Sequence, residues 1–207
     1  MEILSKLFGS EARVKIIRLF LFNPEEIFDI DDISERSKVN KNLAKKEVDG
    51  LLKAALLKKK SFYKLTEKKS GKKVIEKRKR VNGYSLNPNF PYLSSLRNFL
   101  MSGRDFGGTE VLKKLSKAGQ LKLVIVAGVF TKDETSRLDL LVVGNNLNKT
   151  ALSNVVSSIE ADLGKEINYA YFETGDFKYR IEMCDKLIKD VLDYPHQKLL
   201  DRIPLQF

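Results

Sequence analysis

Between Lys38 and Arg80, seventeen residues are lysine or arginine and only Glu47, Asp49, Glu67 and Glu76 are acidic. That segment carries +13, while the whole 207-residue chain carries +11, so the remainder sums to −2. A stretch this densely charged cannot form the inside of a domain. A near-neutral protein with a single basic module has the electrostatic footprint of a polyanion binder, and duplex DNA is the leading partner.

The chain is long enough for two small domains. No apolar run approaches the roughly 18 residues that a membrane-spanning helix needs. Met1-Glu2-Ile3-Leu4-Ser5 lacks the basic n-region and cleavage site of a secretory signal, so a cytoplasmic location without membrane contact is expected. Cys184 is the single cysteine and His196 the single histidine. An internal disulfide, a cysteine-rich zinc site and a histidine-based metal cluster are therefore not expected, and neither is a cofactor. Cys184 is expected within a helix over residues 181–192.

In the N-terminal half, Ser10 can cap a helix in which Val14, Ile16, Ile17, Leu19, Phe20 and Leu21 recur with helical spacing. Asn23-Pro24 ends it, because the residue before proline avoids the helical region. A short extended piece over residues 27–30 follows, and Asp31 or Asp32 is expected to cap a second helix ending near Ser37-Lys38. Asn40 is a strong cap for a third helix, with Val39 placed to staple back onto it. Along that helix Ala44, Val48, Leu51, Leu52 and Ala55 make one apolar stripe. The other face shows Lys41, Asn42, Lys45, Lys46, Asp49 and Lys53. Gly50, mid-helix, costs roughly 1 kcal/mol against Ala and has no sequence-level reason.

Two turn-separated helices, the second with an apolar back and a Lys/Asn front, make a helix-turn-helix. A helix fits the major groove, and Asn can pair two-pronged with adenine. The predicted reading set is Asn40, Lys41, Asn42, Lys45 and Lys46. Two β-rich stretches follow, near 56–65 and 73–86, with Ser70-Gly71 as the turn between them. Lys68, Lys69, Lys72 and Lys73 flank that turn, so the hairpin has a cationic tip that could reach phosphates or the minor groove. Interleaved aromatics are limited to Phe62, Tyr63 and Tyr84, which favours duplex DNA over RNA. Residues 1–87 thus read as a winged-helix DNA-binding domain. Residues 88–108 read as a linker with a connecting helix around Leu93, Leu96, Phe99 and Leu100. That helix either packs on its own chain or makes a homodimer contact.

Residues 109–207 read as a small α/β domain with a short mixed sheet. Its expected elements are a helix over 109–118, strands over 121–127 and 138–143, a helix over 151–163, a strand over 167–172 and helix over 177–192, in one piece or two. The overall class is α+β with two domains.

Taken in order, Leu7-Phe8-Gly9-Ser10-Glu11-Ala12-Arg13-Val14-Lys15-Ile16, Tyr84-Ser85-Leu86-Asn87-Pro88, Leu138-Asp139-Leu140-Leu141-Val142-Val143 and Ile203-Pro204-Leu205 carry a resemblance. The chain resembles archaeal and bacterial proteins that join an N-terminal winged helix to a minimal nucleotidyltransferase-fold domain. The resemblance implies a phosphate-holding Gly-Ser turn, an Asp-x-Asp pair and a third carboxylate, which together hold the Mg²⁺ of a nucleoside triphosphate. Here Ala127-Gly128 stands at the turn, Arg137 at the first Asp, and Asp139 at the second. The strand over 167–172 holds no carboxylate, only Glu166 and Glu173 at its ends. No catalytic residue and no metal site is therefore expected, and Asp139 is expected to pair with Arg137 or another nearby base.

The function expected is a transcriptional regulator or antitoxin-like repressor. Its second domain would be a catalytically degenerate fold used for dimerisation, for a toxin or effector partner, or for ligand binding. The alternative is a divergent nucleotidyltransferase acting on nucleic acid or protein, with the basic module delivering the substrate.

Overall fold

Helix caps come first in this fold, because they set where the basic helix begins. The computed structural model describes residues 2–70, 73–101, 108–133 and 135–203, with backbone only for Glu2, 65–70, 73–77 and Met101. The architecture is α+β, built from helices and two separate sheets. The chain divides into two compact units. One comprises Met1–Met101 with Ala161–Lys165, and the other Ser102–Glu160 with Glu166–Phe207.

The first unit opens with α1 (Glu2–Phe8), which sequence periodicity had not indicated, and α2 (Glu11–Phe22). The Ser10 hydroxyl accepts from the Arg13 N–H at 3.3 Å and starts α2. Residues on nearly every side of α2 are buried, so it is the central helix of the unit. Even Arg18 is fully buried, and it donates to the Asp162 carbonyl at 3.1 Å. Asn23 closes the helix, donating to the carbonyls of Leu19 at 2.7 Å and Gly164 at 2.8 Å. Gly164 sits at φ +82, and a Cβ there would stand 2.5 Å from backbone atoms of Arg18 and Leu19. Both the left-handed geometry and the close approach require glycine.

Asp29 caps α3 (Ile30–Ser37), not Asp31 or Asp32 as expected. Its carboxylate accepts from the N–H groups of Asp31 and Asp32, and Asp32 reaches back to the Asp29 N–H at 3.2 Å. The reciprocal pair satisfies the orphan donors two or three residues earlier than the sequence reading placed the cap. Lys38, left-handed at φ 53, ends α3, and only two more residues precede α4 (Lys41–Lys53). The Asn40 carboxamide oxygen accepts from the Asn42 N–H at 2.9 Å. On the back of α4, Ala44, Val48 and Leu51 are buried. Leu52 is half-buried, and Ala55 lies past the helix end at φ 60, exposed. The apolar stripe is thus one residue shorter than periodicity suggested.

A two-stranded antiparallel ribbon follows, β1 (Leu57–Ser70) and β2 (Lys73–Leu86). Its register runs without a break from Leu57↔Leu86 to Ser70↔Lys73. β1 is longer than the stretch ending near residue 65 that the sequence indicated. Phe28 and Tyr84 exchange backbone hydrogen bonds of 3.0 and 2.8 Å, tying the ribbon root to the segment before α3. α5 (Leu93–Met101) completes the unit. Leu100 is buried in the core of this unit and Leu93 and Leu96 pack against it, while Phe99 remains half exposed.

The second unit contains α6 (Gly108–Leu115), β3 (Gln120–Val126), β4 (Leu140–Asn145), α7 (Lys149–Leu163), β5 (Tyr169–Glu173), α8 (Thr174–Glu182), α9 (Lys186–Asp193) and β6 (Gln197–Asp201). The last turn of α7 groups with the first unit. Strand order is β5-β4-β3-β6, with β4 and β5 parallel and the other pairs antiparallel. Leu123, Ile125, Leu141 and Val143 pack with Phe177 of α8 and with Ile188 and Val191 of α9. Val124, Val126, Leu140 and Val142, on the opposite face by alternation, are buried as well. A sheet buried on both faces reads as continuous apolar runs, and this is why β3 and β4 were legible. β6 was not foreseen. The helical segment expected over 177–192 is two helices, and Cys184 lies between them, exposed at φ 51, not within a helix over 181–192 as expected.

Candidate nucleic-acid interface

The capped start of α4 turns Lys41, Asn42, Leu43, Lys45, Lys46 and Asp49 outward, and all six are exposed. Lys45 and Lys46 have no ion-pair partner among the described residues. Asn40 is exposed too, but its side-chain oxygen is committed to the helix cap. Lys41 is less free than the sequence suggested, because its ammonium pairs with the Asp31 carboxylate of α3. Glu47, on the same helix, is turned inward and buried, and it accepts from the Arg13 Nε–H at 2.7 Å.

Midway along the ribbon, Lys64 of β1 ties it to the start of α3, donating to Asp29 at 2.9 Å and to Asp32 at 2.5 Å. Burial alone would lower the Lys64 pKa, but its hydrogen bonds to Asp32 and Asp29 outweigh that and hold it above the ordinary value. Burial alone would raise Asp29. The hydrogen bonds it accepts, from Lys64 and from the backbone N–H groups of Asp32 and Asp31, bring it below the usual carboxylate value. Five acidic and basic side chains, Asp29, Asp31, Asp32, Lys41 and Lys64, thus neutralise most of one another beside the start of α4.

Around this pin the ribbon is cationic on both faces. Register and alternation put Lys59, Tyr63, Arg78 and Arg80 on one face, and Lys58, Lys60, Lys64 and Lys79 on the other. Lys58, Lys59, Lys60, Arg78, Lys79 and Arg80 are exposed and have no ion-pair partner among the described residues. These six were counted in the basic segment but not singled out as a site. The cross-strand register, which only the fold supplies, gathers Lys59, Arg78 and Arg80 with Tyr63 on one face and Lys58, Lys60 and Lys79 on the other. Of the expected tip lysines, Lys68, Lys69 and Lys73 lie on the far end of the ribbon, in the pairs Lys68↔Ile75, Lys69↔Val74 and Ser70↔Lys73. Lys72 and Gly71 lie outside the described residues.

The second candidate site, in the other unit, is centred on Asp139. Ala127 leads into a single tight turn over Gly128–Phe130. One Asp139 carboxylate oxygen accepts from the Val129 N–H of that turn at 2.7 Å. Its other oxygen accepts from the Asn168 N–H at 2.8 Å, just before β5. Gly128 is at φ +52, and a Cβ there would lie 2.1 Å from the Asp139 carboxylate. The expected partnership of Asp139 with Arg137 does not form. Arg137 pairs instead with Asp190 of α9, Nε to Oδ2 at 3.2 Å. Backbone N–H groups are fixed donors that need no charged side chain to be steered into place, so they take both oxygens. Among the described residues no group of three or more His, Cys, Asp or Glu side chains is placed to hold a metal ion. Among them, too, no helix is long and apolar enough to cross a membrane.

Comparisons with protein-family models, with curated proteins and with solved structures find no match.

Proposed function

We propose that this chain is a DNA-binding regulator or antitoxin-like repressor, whose first unit is a winged helix and whose second is a nucleotidyltransferase-like fold that transfers nothing. The observation that carries the reading is the front of α4. Asn42, Lys45 and Lys46 project from a helix with a buried back and a satisfied N-cap. A helix so capped can enter a major groove N-terminus first, with Asn42 offered to base edges and the two lysines to phosphates. The ribbon supplies further cations on the same unit, as a wing does. The second unit is read as non-catalytic because both Asp139 oxygens are committed to backbone N–H groups. That leaves a single carboxylate, already occupied, where Mg²⁺ and a triphosphate need several. Its role is then to hold a homodimer, a toxin or an effector.

The test is fluorescence anisotropy of a labelled duplex of about three helical turns, titrated with the full chain. Binding that weakens steeply with salt, and weakens further on Lys45→Ala with Lys46→Ala, is the expected result. No binding at low salt would overturn the reading. Transfer of label from nucleoside triphosphates, abolished by Asp139→Ala, would replace it with the enzyme reading for the second unit.

A further inference from the structure

The first unit carries a cavity of about 370 Å³ on the back of its helices. Its wall includes Phe8, Phe90 and Tyr92 as aromatic surface, Ile17 and Leu96 as aliphatic surface, and Gly50 of α4. The volume lies in the range of small-molecule sites, which are mostly apolar with a few placed polar groups.

Two observations single this cavity out. The first is Gly50. A glycine in a helix interior weakens the helix relative to alanine, so its presence calls for a reason. Its φ is not in the left-handed region, and a Cβ built on it would meet nothing nearer than Arg13 Nη2 at 4.0 Å. Neither backbone geometry nor packing excludes a side chain there. What the missing side chain does is keep the cavity open over α4.

The second is Arg13. Its Nε–H is given to Glu47 at 2.7 Å and its Nη1 to the Phe8 carbonyl at 3.1 Å. Those two bonds fix the plane of the guanidinium. The remaining nitrogen, Nη2, has no hydrogen-bond partner among the described residues, and it is the atom nearest the open space above Gly50. A pre-oriented guanidinium N–H at the edge of an aromatic-lined cavity suits an anionic oxygen, because charge-assisted hydrogen bonds are the strong ones. The +13 segment that includes α4 adds a field favouring an anion over a neutral acceptor.

We propose that this cavity is a binding site for a small organic acid with a flat apolar body, its carboxylate on Arg13 Nη2 and its body against Phe8, Phe90 and Tyr92 over Gly50. The site is independent of the DNA reading, and its test contains no DNA.

The probe is 2-naphthylacetate, with the neutral alcohol 2-naphthylethanol as its match, titrated into the full chain by calorimetry and by saturation-transfer NMR. Saturable binding of the acid is expected, at least tenfold tighter than the alcohol, with transfer from the Phe8, Phe90 and Tyr92 rings. Gly50→Leu fills the cavity and should weaken the acid at least tenfold with an undiminished melting temperature. Should that variant fold poorly, Gly50→Ala, which adds one methyl group, should still weaken the acid measurably. Arg13→Lys keeps a cation beside Glu47 but loses the planar fork, and should remove the preference for acid over alcohol. No saturable binding at millimolar acid overturns the proposal. So does equal binding by the Gly50 variants, or equal affinity for acid and alcohol.

Discussion

The salt dependence of the proposed DNA binding can be worked from side chains. Lys45 and Lys46 stand free on α4. One face of the ribbon adds Lys59, Arg78 and Arg80, and the other adds Lys58, Lys60 and Lys79. A ribbon lying along a duplex presents one face at a time, so either orientation contributes three cations and the total is five. Lys41 and Lys64 are not counted, because Asp31, Asp29 and Asp32 already hold them. Five neutralised phosphates give a slope of log K against log salt of about −4.5. Between about 50 and 200 mM salt the affinity should then fall roughly 500-fold. In the double variant Lys45→Ala, Lys46→Ala the slope should relax to about −2.7, and the same change of salt should cost roughly 40-fold. Both residues are exposed and unpaired, so stability should stay within about 0.5 kcal/mol. Anisotropy titrations at four or more salt concentrations measure the slopes. A slope that the double variant leaves unchanged would show that α4 does not meet phosphate, and the assignment of the reading helix would fall.

Asp31→Ala should release Lys41 and steepen the wild-type slope to about −5.4, with tighter binding at low salt; weaker binding would mean that Asp31 orders the site and does not restrain it. Gly50→Ala should stabilise the protein by about 1 kcal/mol in urea unfolding, whereas Gly164→Ala should cost about 2 to 4 kcal/mol, because it combines a left-handed φ with a clash against α2 backbone; equal effects would refute both readings. Asp139→Ala strands the Val129 and Asn168 N–H groups and should cost about 2 to 4 kcal/mol, read from the same unfolding curves. The depressed Asp29 pKa means that its contact with Lys64 contributes stability above the unfolded value of about 3.9, and that contribution is lost as pH falls through the lower folded value. Lys64→Met should therefore flatten the loss of stability below about pH 4, and an unchanged acid limb would exclude the Lys64 pin as its source.

What the sequence disclosed depended on how local each determinant is. Ser10 and Asn40 cap helices through N–H groups two or three residues away, so both starts were readable from their neighbours. The cap of α3 was misplaced by two or three residues because three aspartates compete within four positions, and the winner is set by which N–H groups are orphaned. The ribbon runs five residues further along β1 than its composition indicates. A lysine-rich strand gives almost no apolar alternation, and its extent is fixed by the ladder to β2. β6 offers only Leu199 and Leu200 as apolar residues and forms by pairing with β3, as in Val124↔Leu200. Gly50 was visible as an anomaly but could not be explained, because the space it keeps open is walled by α1, α2 and the segment before α5.

Asp139 shows where a motif reading stops and geometry takes over. In the sequence the resemblance sets it at the second position of an Asp-x-Asp pair, and its nearest cation along the chain is Arg137. A lone carboxylate beside an arginine readily makes a salt bridge, and so a pair with Arg137 or another nearby base was expected. In the structure the two part company before β4 begins. Asp139 turns to the Gly128 turn, ten residues back, and to the Asn168 N–H, twenty-nine residues ahead. Arg137 turns outward to Asp190. An exposed ion pair contributes about 0 to 1 kcal/mol, and two charge-assisted hydrogen bonds from fixed backbone donors contribute about 1.5 to 3 kcal/mol each. The carboxylate therefore goes to the amides. The same arithmetic bears on catalysis. A metal ion drawing Asp139 away would orphan both N–H groups and loosen the turn that a nucleotide phosphate would have to meet.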